Sequence, residues 1–307
     1  MLYKSAVFFI ICFFTLMNVF YSKEKTNDWP VLKGPYLGQK PPGLTPEIFA
    51  PGIISTNDDE LCSGFMNNGT MFIFSRMRPD SDWRNKPTFI MELKNGKWTK
   101  PVKVSFQNLY PYNFTVAPDD KTLYFTSEYR GTNIWKVTKT VEGWSDLEIL
   151  DPPINTDNSD FYPSVTKDST IYFVSTRNVD KNKSFIYRSK SVEGKYTKVE
   201  NIGIHFKTKQ DDTDPFIAPD ESYLIFLSRS ADGFGDWDLC IIFRNKNGSW
   251  TEPINMGKQV NTAGEESRPS LTPDGKFFFF CSDKSGNKDI YWVDASIIEN
   301  LKELHLK

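Results

Sequence analysis

Histidine is scarce in this 307-residue chain, which has only two, His205 and the near-terminal His305. That excludes a His-rich metal centre and leaves no supported Ser-His-Asp relay. Neither a Gly-x-Ser-x-Gly elbow nor a phosphate-binding glycine loop is present. Cysteine is scarce too. Beyond the N-terminal segment only Cys62, Cys240 and Cys281 remain, too few for a disulfide framework and not spaced as a zinc clip. Cys240 within Leu239 to Phe243 and Cys281 within Phe277 to Ser282 read as small buried residues. An excess of one charge is also missing. The 37 basic and 39 acidic residues are intermixed and the net charge is −2, so no basic field exists to gather nucleic acid.

A single long apolar run occurs, from Ala6 to Tyr21, after Lys4 and before Ser22-Lys23-Glu24-Lys25. It is shorter than the roughly 20 residues a spanning helix needs. Its pattern is that of a secretory signal peptide over residues 1–22, with an uncleaved anchor as the other reading. Cys12 lacks the small residues that precede a lipidated cysteine. The chain is therefore expected to be exported, touching a membrane only if that segment is retained. Residues 23–44, with Pro30, Pro35, Pro41, Pro42, Gly34, Gly38 and Gly43, read as an extended linker lying on or before the domain. Residues 45–307 form the domain.

Aromatics are abundant, with 25 Phe, 13 Tyr and 8 Trp, while helix-forming runs are confined to the last dozen positions. That composition favours strands. Five times a short apolar strand ends in serine, at Ser75, Ser127, Ser175, Ser228 and Ser282, with spacings of 52, 48, 53 and 54. A period of this size marks a tandem array of one β-rich unit. In the fifth unit Arg268 to Thr272 leads to a Pro273-Asp274-Gly275 turn, then Lys276 to Ser282, a polar loop, and Asp289 to Val293. Proline presets φ and Asp-Gly supplies the left-handed position, so the turn closes a hairpin. In the other four units a tight turn and an aromatic (Trp98, Trp144, Tyr196 or Trp250) open a fourth strand. Four strands per unit make a propeller blade.

The fifth unit lacks its outer strand, because Asp294 leads into a helical pattern with Ile297, Ile298, Leu301 and Leu304 along one side. The segment Pro46 to Thr56 aligns with Glu252 to Thr262, the fourth strand of the preceding unit, and can supply the missing one. Closing the ring this way removes the exposed edges of an open array. The expected fold is all-β, a propeller of five four-stranded blades closed by an N-terminal strand, with a short C-terminal helix. Six blades is the alternative if residues 23–44 hide another unit.

Over roughly residues 45 to 300 the Pro-Asp-Gly turn, the apolar strand ending in Ser and the following Asp-Ile-Tyr strand resemble the TolB-type propeller repeat, a WD-repeat-like family. The resemblance is strongest in unit five; in unit one Asn67-Asn68-Gly69 replaces the proline turn. It implies a propeller and an exported bacterial protein of the periplasm or cell surface. In TolB the propeller is a protein-binding platform beside an extra N-terminal domain, which this chain is not expected to hold.

An acidic residue follows a threonine by four positions at Thr56 and Glu60, Thr156 and Asp160, Thr208 and Asp212, and Thr262 and Glu266. Unit two has Pro111 instead. The first strand of a blade lines the central channel, so Glu60, Asp160, Asp212 and Glu266 are candidates for a ring at one mouth that attracts a metal ion or a basic segment. The competing expectation is that each pairs with its own loop. Asp232, Asp236 and Asp238 have spacing reminiscent of a calcium loop but lack the later bidentate Glu, so they are weak candidates for Ca2+ and read better as a turn. Arg76, Arg177 and Arg229 follow strand-ending serines, and Arg130 lies nearby; they suit gripping carboxylates of a neighbouring blade or anionic groups of a ligand. Trp83 and Trp237 are left as aromatics able to stack on a sugar or partner. The expected function is an exported, monomeric, non-catalytic scaffold binding a protein partner or an envelope glycan. A carboxylate-based glycosidase or lyase is the alternative, since that chemistry needs only two carboxyl groups.

Overall fold

A computed structural model describes residues 29–78, 86–129, 131–177, 183–202, 212–229 and 233–306. The expected signal segment, Trp83, Arg130, His205, Thr208 and Asp232 lie outside the described residues.

The period of about fifty residues resolves into five antiparallel blade sheets, beside a two-stranded hairpin of Ser191–Val192 and Lys195–Tyr196. Blade one consists of Asp59–Met66, Met71–Met77 and Thr88–Lys94, with Lys97–Trp98 and Val102–Val104 both pairing the third strand. Blade two is Tyr112–Val116, Thr122–Ser127, Asn133–Thr138 and Glu148–Ile149, and blade three is Asp160–Val165, Ile171–Ser175, Phe185–Ser189 and Glu200–Asn201. Blade four is Asp212–Ile217, Tyr223–Ser228, Asp238–Phe243 and Ile254–Asn255. Blade five is Glu266–Leu271, Phe277–Ser282 and Asp289–Asp294, completed by Glu47–Ile48 from the N-terminal side. The inner strands pack on one another in a closed cycle, from blade one through blade five and back to one. The second strands Thr122–Ser127, Ile171–Ser175 and Phe277–Ser282 are buried throughout. They are covered on both faces by neighbouring blades, which is why they read as continuous apolar runs rather than alternating ones.

The closing strand pairs as expected, with Glu47 opposite Trp292 and Ile48 opposite Tyr291. Its register differs from the alignment by one residue. Asn255 lies opposite Cys240, the blade-four equivalent of Tyr291, so Ile48 corresponds to Asn255 and Phe49 to Met256. The N–H of Phe49 bonds the Ile290 carbonyl at 2.8 Å, as that of Met256 bonds Leu239 at 3.0 Å. One extra residue before Ser55 restores the later alignment, and Ala50 takes φ 44° there. Phe49 is thereby placed at 0% exposure among Phe65, Phe72, Phe279 and Trp292, with centroids 5.1 to 5.9 Å away.

Part of the proline- and glycine-rich stretch lies on the ring. The Trp98 indole donates to the Gly34 carbonyl at 2.8 Å, and Tyr36 packs edge-on against Phe65 and Phe277. Gly38 is required in this strap, since its φ is 83° and a Cβ would lie 2.6 Å from the Lys33 carbonyl oxygen. The C-terminal helix, Ser296–His305, buries Ile297 and Ile298 in the core shared by blades four and five.

Candidate functional site

Glu60, Asp160, Asp212 and Glu266 open the inner strands of four blades, and each is 0% exposed. For Glu60, Asp160 and Glu266 the surroundings are those of corner posts. Glu60 accepts from the Thr56 N–H at 3.0 Å and hydroxyl at 2.9 Å, and from Arg76 Nε at 2.7 Å. Asp160 accepts from the Thr156 N–H at 2.7 Å and hydroxyl at 2.9 Å, and from Arg177 Nη2 at 2.7 Å. Glu266 accepts from the Thr262 N–H at 2.8 Å and hydroxyl at 2.7 Å, and from Ser282 Oγ at 2.6 Å. Burial nevertheless pushes the Glu60 carboxyl up to about 7, against the opposing pull of Thr56 and Arg76.

Arg76 and Arg177 reach carboxylates of their own blades rather than of a neighbour. Each also binds the connector arriving from the previous blade: Arg76 donates to the Ile53 and Ile54 carbonyls, and Arg177 to those of Pro153 and Ile154. Beside them, Asn155 clamps both backbone groups of Ile134, Asn261 clamps those of Leu239, and Ser55 does the same to Ile290 at the seam.

Pro111 breaks the pattern for a geometric reason. At three other corners the acid's own N–H bonds the preceding blade, Glu60 to Lys288 at 2.7 Å, Asp160 to Thr132 at 2.9 Å and Glu266 to Trp237 at 3.2 Å. Proline has no such donor, and the Thr88 hydroxyl donates to the Pro111 carbonyl instead.

Of the calcium-loop residues, Asp236 is exposed, whereas Asp238 is buried with both oxygens engaged. It accepts from Phe234 N and Asn255 Nδ2, each at 2.7 Å, and from Gly235 N at 3.1 Å. A Cβ on Gly235 would lie 2.1 Å from the Gly264 carbonyl oxygen, so this glycine serves a close backbone approach. Among the described residues no three His, Cys, Asp or Glu side chains are grouped as a metal site. Arg229 stacks over Trp237 at 4.3 Å.

Two residues after each corner position the chain does something the repeat does not predict. Every inner strand carries a bulge there, between Glu60 and Ser63, Tyr112 and Thr115, Phe161 and Ser164, Thr213 and Phe216, and Ser267 and Ser270. Four bulge residues, Asn113, Tyr162, Asp214 and Arg268, have φ between 47° and 55°. Such a conformation is a genuine outlier for Tyr and Arg. A bulge re-aims a side chain, and these five positions, with Cys62 in blade one, line a cavity in the channel of about 50 Å³.

The side chains on this ring are all different. One guanidinium nitrogen of Arg268, Nη1, lies 2.6 Å from both Asp214 oxygens, and the Arg268 backbone N–H adds a third bond at 3.2 Å. The Arg268 carbon sits 4.4 Å from the Tyr162 ring centroid. Burial disfavours the guanidinium charge, but Asp214 more than compensates and holds Arg268 well above its usual range. Burial raises the Tyr162 phenol and the Cys62 thiol. Two buried polar atoms on the ring have no partner, Asn113 Oδ1 and Arg268 Nε. The recurring acids stand out in the sequence because they repeat, whereas this column differs in every blade. The signal was present as the column that fails to repeat inside an otherwise repeating strand.

The sequence matches no protein-family profile and no curated protein. Among solved structures, TolB from Acinetobacter baumannii aligns at TM-score 0.48 and 14% identity, over 78% of this chain and 55% of that one. This chain thus spans little more than half of that protein. A putative TolB from Agrobacterium tumefaciens aligns at 0.46 and 17%, over 85% and 82% of the two chains. An engineered family-43 glycoside hydrolase with endo-xylanase and exo-arabinofuranosidase activity aligns at 0.49 and 12%, over 80% and 51%.

Proposed function

We propose that this chain is an exported, non-catalytic binding propeller that receives a protein partner or an envelope glycan at its channel. The observation that carries this reading is where the carboxylates point. Glycoside cleavage needs two carboxyl groups flanking one bond, roughly 5 to 9.5 Å apart. The described lining of the channel cavity contains one, Asp214, already held by Arg268. Glu60, Asp160 and Glu266 are turned into their own corners. A cavity with unpaired polar atoms on a rigid ring suits recognition better than turnover. Export rests on residues 1–22 and on the resemblance to TolB-type repeats.

The test is capture and turnover measured together. The chain as recovered from cells is incubated with envelope extract and with purified envelope glycans, beside an Asn113→Gly variant that keeps the left-handed backbone. A component bound by the wild type and lost by the variant, with no new reducing ends, supports the proposal. Release of reducing ends would overturn it in favour of a glycosidase.

A further inference from the structure

The cavity differs from an ordinary channel interior in its two unpartnered buried atoms. Asn113 is 7% exposed, and its Oδ1 is an acceptor lacking a donor. Arg268 Nε is a donor lacking an acceptor, because Asp214 is served by Nη1. Orphaned buried polar groups are costly and call for a partner, whether water or ligand. The same cavity has apolar walls at Val116, Pro163, Phe216 and Leu271. A matching group must therefore donate once, accept once and offer a small apolar face, all within a volume suited to about four non-hydrogen atoms.

A secondary amide capped by a methyl group has this composition: its N–H meets Asn113 Oδ1, its carbonyl meets Arg268 Nε, and its methyl meets the apolar wall. A carboxylate offers no donor, and a hydroxyl leaves the apolar wall uncovered. We infer that the channel is a subsite for the acetamido group of an N-acetylated amino sugar. This inference rests on the binding-propeller reading above and names its ligand class.

The sugar assignment comes from what adjoins the cavity. Tyr112 precedes Asn113 on the same strand and lines a neighbouring depression of about 180 Å³ with Tyr110, Tyr129, Lys86, Asn108 and Glu128. Tyr110 and Tyr129 are each half exposed. Tyrosines beside mixed polar groups form a platform on which a pyranose ring can lie, with an apolar body and a polar tip on each phenol.

The experiment is saturation-transfer NMR and calorimetry on the full chain with N-acetylglucosamine, glucosamine, glucose and N-acetyl-alanine N-methylamide. N-acetylglucosamine is expected to bind about tenfold more tightly than glucosamine or glucose, the effect of roughly one well-made hydrogen bond. Asn113→Gly should reduce that preference severalfold, and Tyr110→Ala should weaken all three sugars alike without touching the buried ring. Equal binding of the three sugars, or of none, would mean that the orphaned atoms are met by water only and would overturn the inference. Tighter binding of the peptide amide would overturn the sugar assignment. If an envelope component is still captured while N-acetylglucosamine fails, the inference falls and the binding function stands; if nothing is captured, both fall.

Discussion

Arg76 Nε lies 2.7 Å from Oε1 of Glu60, and Nη2 of the same guanidinium reaches the Ile53 and Ile54 carbonyls. One side chain thus holds the start of blade one to the connector leaving the closing strand. Arg177 repeats the arrangement with Asp160, Pro153 and Ile154. Losing this arginine removes three hydrogen bonds to buried oxygens, each worth about 1 kcal/mol net. Arg76 is partly exposed, so Arg76→Ala is expected to cost about 2–3 kcal/mol, read as a lower urea midpoint with unchanged slope.

Glu60 gives the fold a pH dependence of definite sign. Its folded value of about 7 lies above the unfolded value of 4.5, so between those limits the folded state binds the extra proton. Its contribution is fully present below about 4.5 and is lost as pH rises through 7. Glu60→Gln, which stays neutral, should unfold with a flatter pH profile. The wild type's stability relative to this variant should fall between pH 4.5 and 7 and then level off, as checked by thermal melts across that range.

Phe49 fills the seam between blades five and one, fully buried among four aromatic rings. Phe49→Ala should cost about 3–5 kcal/mol through lost transfer energy and the cavity left behind. Ala50→Gly relieves the positive φ of 44° and should be neutral or slightly stabilising. Chemical denaturation of the two variants separates these effects.

The thiols supply a further check. Cys62, Cys240 and Cys281 are buried and unpaired in disulfides, and burial holds Cys240 up at about 12 and Cys281 well above its usual range. Thiolate is the reactive form, so the native protein should give almost no reaction with a thiol reagent at pH 8. After unfolding, three thiols should titrate if residues 1–22 have been removed and four, with Cys12, if they are kept.

The blade is legible in the repeat alone. Serines at Ser75, Ser127, Ser175, Ser228 and Ser282 end strands that each meet a blade on either face, and that shared environment imposes the same residue pattern five times. The closing strand was legible for the same reason, since Pro46 to Thr56 must satisfy the pairing that Glu252 to Thr262 satisfies; the one-residue shift that brings in Phe49 was not, because the packing at the seam sets the register. The Thr-and-acid column was legible as a pattern, but whether its carboxylates face the channel or the corner depends on Arg76, Arg177 and Ser282, which come from other strands. Only the tertiary structure brought Cys62, Asn113, Tyr162, Asp214 and Arg268 together. They share no chemistry and are far apart in the chain, and they meet because ring closure turns one bulge position of every inner strand toward a single cavity.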